Sequence, residues 1–284
     1  MKIIDFRVRP YYGGFKTSWL YNEPYLTGFC GRFNQPTAAG IRSIEECIKE
    51  MDDAGVSIGV VPGRTSSHVT NQELVELYEM YPDRFIPMAG IDPLDGAKFC
   101  LDEIEKYVVN GPCRGIMIEL TVCGVSGNMI LNADDPILEP IFQKCNELGL
   151  PVMLTWGGMA SMQIEHGAPV HIERVLKKYP NMRVALCHGG YPYVNEYCWL
   201  AARHRNLWLS PDIYVVDAIP GGEDYMKGAN GFIKDRIIFG STFPIMHIKN
   251  LVDFYLNWGL SEQALPKVMY QNALEFLGMT EEEI

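Results

Sequence analysis

Short apolar runs alternate with amphipathic segments along almost the whole chain, and this alternation limits the possible folds more than any other feature. Eight runs have the length of buried parallel strands, and most are rich in β-branched or large apolar residues: 3–8, 57–62, 85–91, 115–120, 152–156, 184–187, 207–209 and 237–239. The intervening segments have helical patterns, two of which end at Gly55 and before Pro180. Eight strand–helix units predict an α/β fold, a distorted (β/α)8 TIM barrel built as one domain over residues 1–284.

The composition excludes several classes of protein. A net charge of -11 argues against a nucleic-acid-binding surface, which needs a basic patch. No apolar stretch approaches the roughly 20 residues of a membrane span, and the start lacks the pattern of a signal peptide. The eight cysteines (30, 47, 100, 113, 123, 145, 187 and 198) form no CxxC pair, which favours reduced thiols. We therefore expect a cytoplasmic protein that binds neither nucleic acid nor membranes.

A long aromatic segment interrupts the alternation directly after the first predicted strand. Residues 10–41 contain eight aromatic side chains, at positions 11, 12, 15, 19, 21, 25, 29 and 33. Connections of this length inside a compact domain are commonly lids or binding loops. The segment leaves the strand end at which barrel active sites lie. We expect it to cover the barrel mouth or to contact a neighbouring subunit; the alternative is a flap that only packs on the barrel.

Polar side chains follow the predicted strands at their carboxyl ends, which share one mouth in a barrel. The first strand, in "KIIDFRVRP", ends with two arginines at alternate positions, whose side chains share a face. The residues expected at the mouth are Arg7, Arg9, Arg64, Ser66, Ser67, Asp92, Glu119, Thr155, Trp156, His188, Asp212, Tyr214, Ser241 and Thr242. Two of these residues also have a purely structural interpretation. Asp92 precedes a proline, as turn residues do, and Arg64 follows a glycine and could belong to a solvated loop.

Four blocks of sequence have a distinctive composition: "IDFRVRP", "HIERVLKKYPNMRVALCHGG", "RIIFGSTFP" and "LPKVMYQNALEFLG". They resemble the amidohydrolase-related family, which includes lactonases and metal-dependent decarboxylases. The family writes Ile-Asp-x-His-x-His-Pro in place of the first block and Phe-Gly-Ser-Asp-Phe-Pro within the third. The ordered spacing of these blocks covers nearly the whole chain. The resemblance implies a distorted (β/α)8 barrel and a homo-oligomer.

The chain departs from this family at the metal ligands. The family binds its metal with two histidines of the first strand, a histidine of the fifth and an aspartate of the eighth, where this chain has Arg7, Arg9, Thr155 and Thr242. Arginine has no lone pair to give a metal, and threonine is a poor substitute for a carboxylate or imidazole. We expect no metal cofactor. The alternative is one divalent ion at His188, Glu119 and Asp212, which neighbouring guanidinium groups would oppose.

These observations lead to a functional hypothesis in which an anion takes the place of the metal. Arg7, Arg9 and Arg64 would bind the carboxylate of a small organic acid, since guanidinium groups bind carboxylates through charge-assisted hydrogen bonds; Tyr214, Trp156 and Thr242 would also contact the substrate. His188 would be the general acid/base, Asp212 would activate water or orient His188, and Glu119 would be a second proton-transfer group.

Three functions remain open on the sequence alone. The first is metal-independent hydrolysis of a lactone-like substrate, and the second is a carboxy-lyase or hydro-lyase reaction on a small organic acid. The third is a non-catalytic barrel that binds an anion or serves in an assembly, with Asp212 and Glu119 neutralising the arginines in an abandoned site. Covalent serine catalysis is not expected, because the chain has no Gly-x-Ser-x-Gly motif.

Overall fold

The computed structural model describes residues 1–121, 131–158 and 163–284, and it is a TIM barrel. Seven parallel strands follow one another in sequence order around the sheet. They are β1 (Ile4–Asp5), β2 (Ile58–Pro62), β3 (Phe85–Gly90), β4 (Ile116–Ile118), β5 (Pro151–Thr155), β6 (Arg183–Cys187) and β7 (Leu207–Ser210). The predicted α/β barrel is confirmed. Cys123, named above, lies outside the described residues.

The eighth predicted strand is reduced to a short closing segment between β7 and β1. Ile237 forms a parallel bridge with Leu209, and the N–H of Ile238 donates to the Leu209 carbonyl at 2.8 Å. On the other side, the N–H of Phe6 donates to the carbonyl of Phe239 at 3.1 Å. These bonds join the two edges of the sheet, so that the carboxyl ends of all eight segments meet at one mouth.

Helices surround the strands, and some of their ends have caps that the sequence provides. Thr70 and Glu73 form a reciprocal capping box at the start of one helix, and Gly149 adopts a left-handed conformation (φ 64°) after another. In chain order the helices are α1 (Glu23–Gly31), α2 (Ile44–Asp53), α3 (Asn71–Met80), α4 (Ala97–Ile104), α5 (Glu139–Leu148), α6 (Pro169–Lys178), α7 (Val194–Arg203), α8 (Glu223–Ala229), α9 (Ile248–Asn257) and α10 (Asn272–Leu277). Within the described ranges, no helix has the length and apolar character needed to cross a membrane.

The amino-terminal end of the barrel is closed by apolar packing. Phe276 of α10 lies across this end, with its ring 5.2 Å from that of Phe6 and 5.7 Å from that of Trp208. Ile4, Val60 and other buried apolar residues of the strands belong to the same cluster. Aliphatic and aromatic side chains thus fill this end, whereas Arg7, Arg64 and His188 line a cavity at the opposite mouth.

The aromatic segment after β1 folds back over that mouth and is held there by hydrogen bonds. The hydroxyl of Tyr21 donates to the carbonyl of Arg9 at 2.8 Å, and the guanidinium of Arg42 donates to the carbonyl of Tyr21 at 3.0 Å. Farther along, the thiol of Cys30 donates to the carbonyl of Ile245 at 3.1 Å. The segment, including α1, is therefore attached to the loops that follow both β1 and the closing segment.

Candidate active site

A cavity of about 380 Å³ lies over the carboxyl ends of the strands. Its walls come from two sources, the strand ends and the aromatic segment: Arg7, Trp19, Asn22, Tyr25, Phe29, Arg64, Thr155, His188, Ile213, Tyr214, Thr242 and Ile245. The prediction that the aromatic segment covers the mouth is confirmed. Sequence reasoning missed Asn22, Ile213 and Ile245, although each lies within a few residues of a predicted position or aromatic side chain.

Arg7, Asp212 and His188 form one buried cluster on the cavity floor. The Nη1 of Arg7 donates to Oδ2 of Asp212, and it lies 3.3 and 3.4 Å from the two ring nitrogens of His188. The same Oδ2 accepts from the backbone N–H of His188 at 3.2 Å and lies 3.4 Å from its Nδ1. The other oxygen of Asp212 accepts from the hydroxyl of Ser210 at 2.7 Å. Asp212 thus fixes both the arginine and the histidine.

The electrostatics of this cluster keep the imidazole neutral. Burial lowers the pKa of His188 well below its ordinary value, and the positive charges of Arg7, Arg64 and Arg9 lower it further. Tyr214 packs edge-on against the His188 ring, with 5.2 Å between ring centroids. Gly158 approaches both rings, since a Cβ there would lie 2.6 Å from the Tyr214 hydroxyl and 3.0 Å from Cγ of His188. His188 is therefore a deprotonated ring held between packed neighbours.

Three of the residues at the mouth have a backbone conformation that side chains normally avoid. His188, Asp212 and Thr242 have φ angles of 73°, 57° and 62°. Non-glycine residues in this region are uncommon, and such strained positions cluster at active sites and ligand-binding sites. All three follow strand ends, and two of them line the cavity. The fold thus holds strained backbone at the place where the polar residues converge.

Arg64 and Glu119 form a second buried pair. The Nε of Arg64 donates to Oε1 of Glu119 at 2.6 Å, its Nη2 pairs with the same oxygen, and the N–H of Ser66 donates to Oε2 at 3.1 Å. The ring of Trp19 covers the guanidinium at 5.4 Å. Arg64 lines the cavity, so the interpretation of it as a solvated loop residue is wrong. Glu119 lies behind Arg64, and its role in proton transfer stays a prediction.

Arg9 lies behind the cavity wall rather than on it. Its Nη2 donates to the carbonyl of Thr242 at 2.7 Å, and the side chain is fully buried. Burial lowers the pKa of this guanidinium well below its ordinary value, and the charges of Arg7 and Arg64 add to that effect. The two arginines of the first strand are therefore neighbours, as expected, but they have different surroundings.

The prediction that Trp156 contacts the substrate at the mouth is wrong. Its indole N–H donates to the hydroxyl of Tyr197 at 2.5 Å, its side chain is fully buried, and it does not line the cavity. The preceding residue, Thr155, lines the cavity instead, because neighbouring residues at a strand end point to opposite faces. Asp92 accepts a hydrogen bond from the N–H of Leu94 at 3.0 Å, as the turn interpretation predicted.

Residues 31–279 match the model of a protein family described as Amidohydrolase. The chain belongs to the amidohydrolase family. An uncharacterised TIM-barrel protein from Bordetella bronchiseptica has a similar structure, with a TM-score of 0.89 and 31% identity over 98% of this chain and 99% of that one. The 2,6-dihydroxybenzoate decarboxylase from Rhizobium gives a TM-score of 0.67 at 16% identity, over 98% of each chain.

A relative by sequence is the 2-amino-3-carboxymuconate-6-semialdehyde decarboxylase of Dictyostelium discoideum. It is 22% identical over 252 residues, which cover 74% of this chain and 65% of the relative. The match thus spans slightly less than two thirds of that protein. Amidohydrolases are a family of enzymes, and decarboxylases are among the proteins that this chain resembles.

The residues of this amidohydrolase do not fit the metal that the family resemblance implies. At the expected ligand positions, Arg7 donates to a carboxylate and Arg9 donates to a carbonyl, and neither side chain offers a lone pair. The alternative ligands Asp212 and Glu119 each accept from a guanidinium. Among the residues that the structure describes, no three histidine, cysteine or acidic side chains are grouped to hold an ion. The guanidinium groups at these positions donate hydrogen bonds and carry positive charge, so they suit an anion and not a metal ion.

Proposed function

We propose that this protein is a metal-independent hydrolase that opens the ester of a small, lactone-like carboxylate. One observation carries the proposal, namely that His188 is a neutral imidazole on the floor of a cavity, held against Asp212 and facing guanidinium groups. A neutral imidazole accepts a proton from water, and fixed cations stabilise the oxyanion that water addition creates. Ester hydrolysis needs both a proton acceptor and a cation for the oxyanion, and the cluster of Arg7, Asp212 and His188 contains both groups.

The reaction follows from these positions. Water adds to the lactone carbonyl carbon while a ring nitrogen of His188 takes its proton, and the carbonyl oxygen becomes an oxyanion facing Arg7. The tetrahedral intermediate then collapses, the ring C–O bond breaks, and the imidazolium returns its proton to the leaving alkoxide. The product is the hydroxy acid. Asp212 stabilises the imidazolium and orients the ring, in the manner of an aspartate beside a catalytic histidine.

The shape of the cavity supports a small, flat substrate. Trp19, Tyr25, Phe29 and Tyr214 provide aromatic walls, while the polar groups lie toward the floor. The volume of about 380 Å³ is at the small end of the usual range for ligand pockets, about 300–1,000 Å³. A planar or unsaturated ring carrying a carboxylate fits this division of apolar walls and cationic floor.

Decarboxylation is the second candidate, and the named relatives favour it, since two of them are decarboxylases. In that reaction the bond between the carboxylate and the substrate carbon breaks, carbon dioxide leaves, and the carbon left with the electron pair takes a proton. His188 would have to be protonated to supply it. The low pKa of His188 leaves the ring neutral in the free protein, which is the starting state that proton removal from water requires.

Isotope labelling separates these candidates. Carboxylate-bearing lactones and flat aromatic carboxylates are incubated with the protein in water enriched in oxygen-18, and the products are examined by mass spectrometry. Ring-opened acid with one labelled oxygen supports the hydrolase, whereas carbon dioxide with a decarboxylated product supports the lyase. Products that also form with His188→Asn at the wild-type rate would contradict both mechanisms. Binding without turnover would favour the non-catalytic barrel.

The remaining expectations are part of the same proposal. The partner is a small organic acid, and the protein works in the cytoplasm as a single-domain homo-oligomer. The fold and the family are compatible with each of these statements.

A further inference from the structure

One guanidinium at the barrel mouth, that of Arg9, has no counter-ion among the residues that the structure describes. The Nε and Nη1 of Arg9 have no hydrogen-bond partner among residues 1–121, 131–158 and 163–284, and Nη2 donates only to the Thr242 carbonyl. Arg7 and Arg64 pair with carboxylates, but Arg9 forms no ion pair in this part of the chain. Buried charges are normally paired, because an unpaired ion loses its hydration without compensation. Arg9 therefore departs from the rule that its two neighbours follow.

Asp5, the nearest acidic residue along the strand, does not fill this role. Its Oδ1 accepts from the backbone N–H groups of Arg7 at 3.1 Å and Ser241 at 2.8 Å. Its Oδ2 has no partner in the described part of the chain. The charges of Arg7 and Arg64 are balanced by Asp212 and Glu119, whereas neither oxygen of Asp5 contacts a guanidinium within the described ranges, so Arg9 has no counter-ion in contact with it there.

Arg9 is separated from the cavity by part of its wall. The backbone carbonyl of Thr242 accepts the hydrogen bond from Nη2 of Arg9, and Thr242 lines the cavity. So do Arg7 and Thr155, and the Nε of Arg7 and the Oγ1 of Thr155 likewise have no partner within the described ranges. The other walls are mainly aromatic and aliphatic. Arg7 and Arg64 are each already paired with a carboxylate, so among the described residues the unpaired charge that acts on a negative group in the cavity is that of Arg9, behind the wall at Thr242.

We propose that Arg9 sets the charge of the ligand: the cavity accepts a flat monocarboxylate and rejects both its neutral isostere and the corresponding dicarboxylate. This inference rests on the proposed function only in placing the substrate in this cavity. One carboxylate neutralises the charge of Arg9. A second one would lie unpaired against apolar walls, and a neutral group would leave the guanidinium without a counter-ion.

The first test uses the ligand-free protein and compares two matched arginines by thermal unfolding. Arg9→Met removes an unpaired buried charge, so the melting temperature should rise, by on the order of 3 °C. Arg7→Met leaves Asp212 buried and unpaired, so the melting temperature should fall. If Arg9→Met fell as far as Arg7→Met, the unpaired charge and the proposal with it would be refuted. Arg9→Gln repeats the comparison with a polar side chain in case the Met variant misfolds.

The second test measures ligand binding by calorimetry with benzoate, benzamide and phthalate, which share a ring and differ in charge. Wild-type protein should bind benzoate at least about tenfold more tightly than either of the others, and Arg9→Met should weaken benzoate binding by about 100-fold. Equal affinity for benzoate and benzamide, unchanged benzoate affinity in Arg9→Met, or no binding of the three would overturn the proposal.

These measurements do not depend on turnover. If the variants and the three ligands behave as described but no lactone is opened, the selection of ligand charge by Arg9 is supported and the proposed hydrolysis is refuted. If lactones are opened while benzamide binds as well as benzoate, the reaction stands and the role of Arg9 falls.

Discussion

Asp212→Asn tests whether the Arg7–Asp212 pair holds the site together. Asp212 is fully buried, and its carboxylate accepts from Arg7, from the backbone of His188 and from Ser210. The amide keeps the size of the side chain and tolerates the left-handed backbone at this position (φ 57°), so the change removes mainly the charge. Arg7, only 2% exposed, is then left buried without a counter-ion.

The expected loss in the free energy of unfolding is about 3–5 kcal/mol, the range for removing one partner of a buried ion pair. For a chain of this size that corresponds to a decrease in melting temperature on the order of 10 °C. Asp212→Ala should lose more, because alanine is disfavoured at a positive φ. Urea unfolding followed by circular dichroism measures the free energy, and a thermal scan measures the melting temperature.

Asp102→Ala provides the matched control, because Asp102 forms an exposed ion pair with Lys98 on one helix turn. Exposed pairs contribute little, and the melting temperature should not change measurably. If Asp212→Asn unfolded at the same urea concentration as the wild type, the pair would contribute no net stability. The account of a site built around Asp212 would then be refuted.

Three further changes have defined outcomes. His188→Asn should lower the turnover number by roughly 10²–10⁴-fold with little change in the affinity for substrate, as measured by steady-state kinetics and calorimetry; unchanged turnover would remove His188 from the mechanism. Trp19→Ala should raise KM about tenfold, because Trp19 lines the cavity and packs on a guanidinium, whereas Phe99→Ala, an exposed aromatic outside the cavity, should leave KM unchanged. The hydrogen bond and charge of Glu50 raise the pKa of His247, so this stabilisation is complete below the unfolded value of about 6.5 and is lost as the pH rises through the folded value. Urea unfolding at pH 6 and pH 8 should therefore show a larger loss of stability for the wild type than for His247→Gln, and equal losses would contradict the assigned pair.

The sequence predicted the barrel and most of the mouth for a physical reason. Strand and helix periods are local properties, and parallel strands in a barrel must present their carboxyl ends together. Arg7, Arg64, His188 and Tyr214 were located in this way, and all four line the cavity.

The pairing of these residues could not be predicted in the same way. Asp212 lies 205 positions from Arg7 in the chain, and alternation along β1 places Arg7 and Arg9 on one face without distinguishing a paired from an unpaired guanidinium. That difference depends on which strand ends lie opposite each other across the barrel. Alternation puts Thr155 and Trp156 on opposite faces, but it does not say which of the two enters the cavity, because that depends on the residue at which β5 ends.

The reduced eighth strand illustrates the same limit. Residues 237–239 have the apolar character of a strand, but Gly240 follows, and a Cβ there would lie 3.0 Å from both Asp212 and Ser210. The side chains of Asp212 and Ser210 thus lie close to the backbone of Gly240, where the eighth segment forms a single bridge to β7 and not a full strand.

We propose that guanidinium groups and a neutral histidine take the place of a metal centre in this protein, and turnover measured after metal removal tests this proposal. Purified protein is dialysed against a chelator, its metal content is measured by elemental analysis, and hydrolysis of an identified carboxylate-bearing lactone is followed before and after. The account predicts the same turnover number at all stages, with no gain when Zn²⁺, Mn²⁺ or Mg²⁺ is added. Loss of activity on chelation that one equivalent of a divalent ion restores would contradict it.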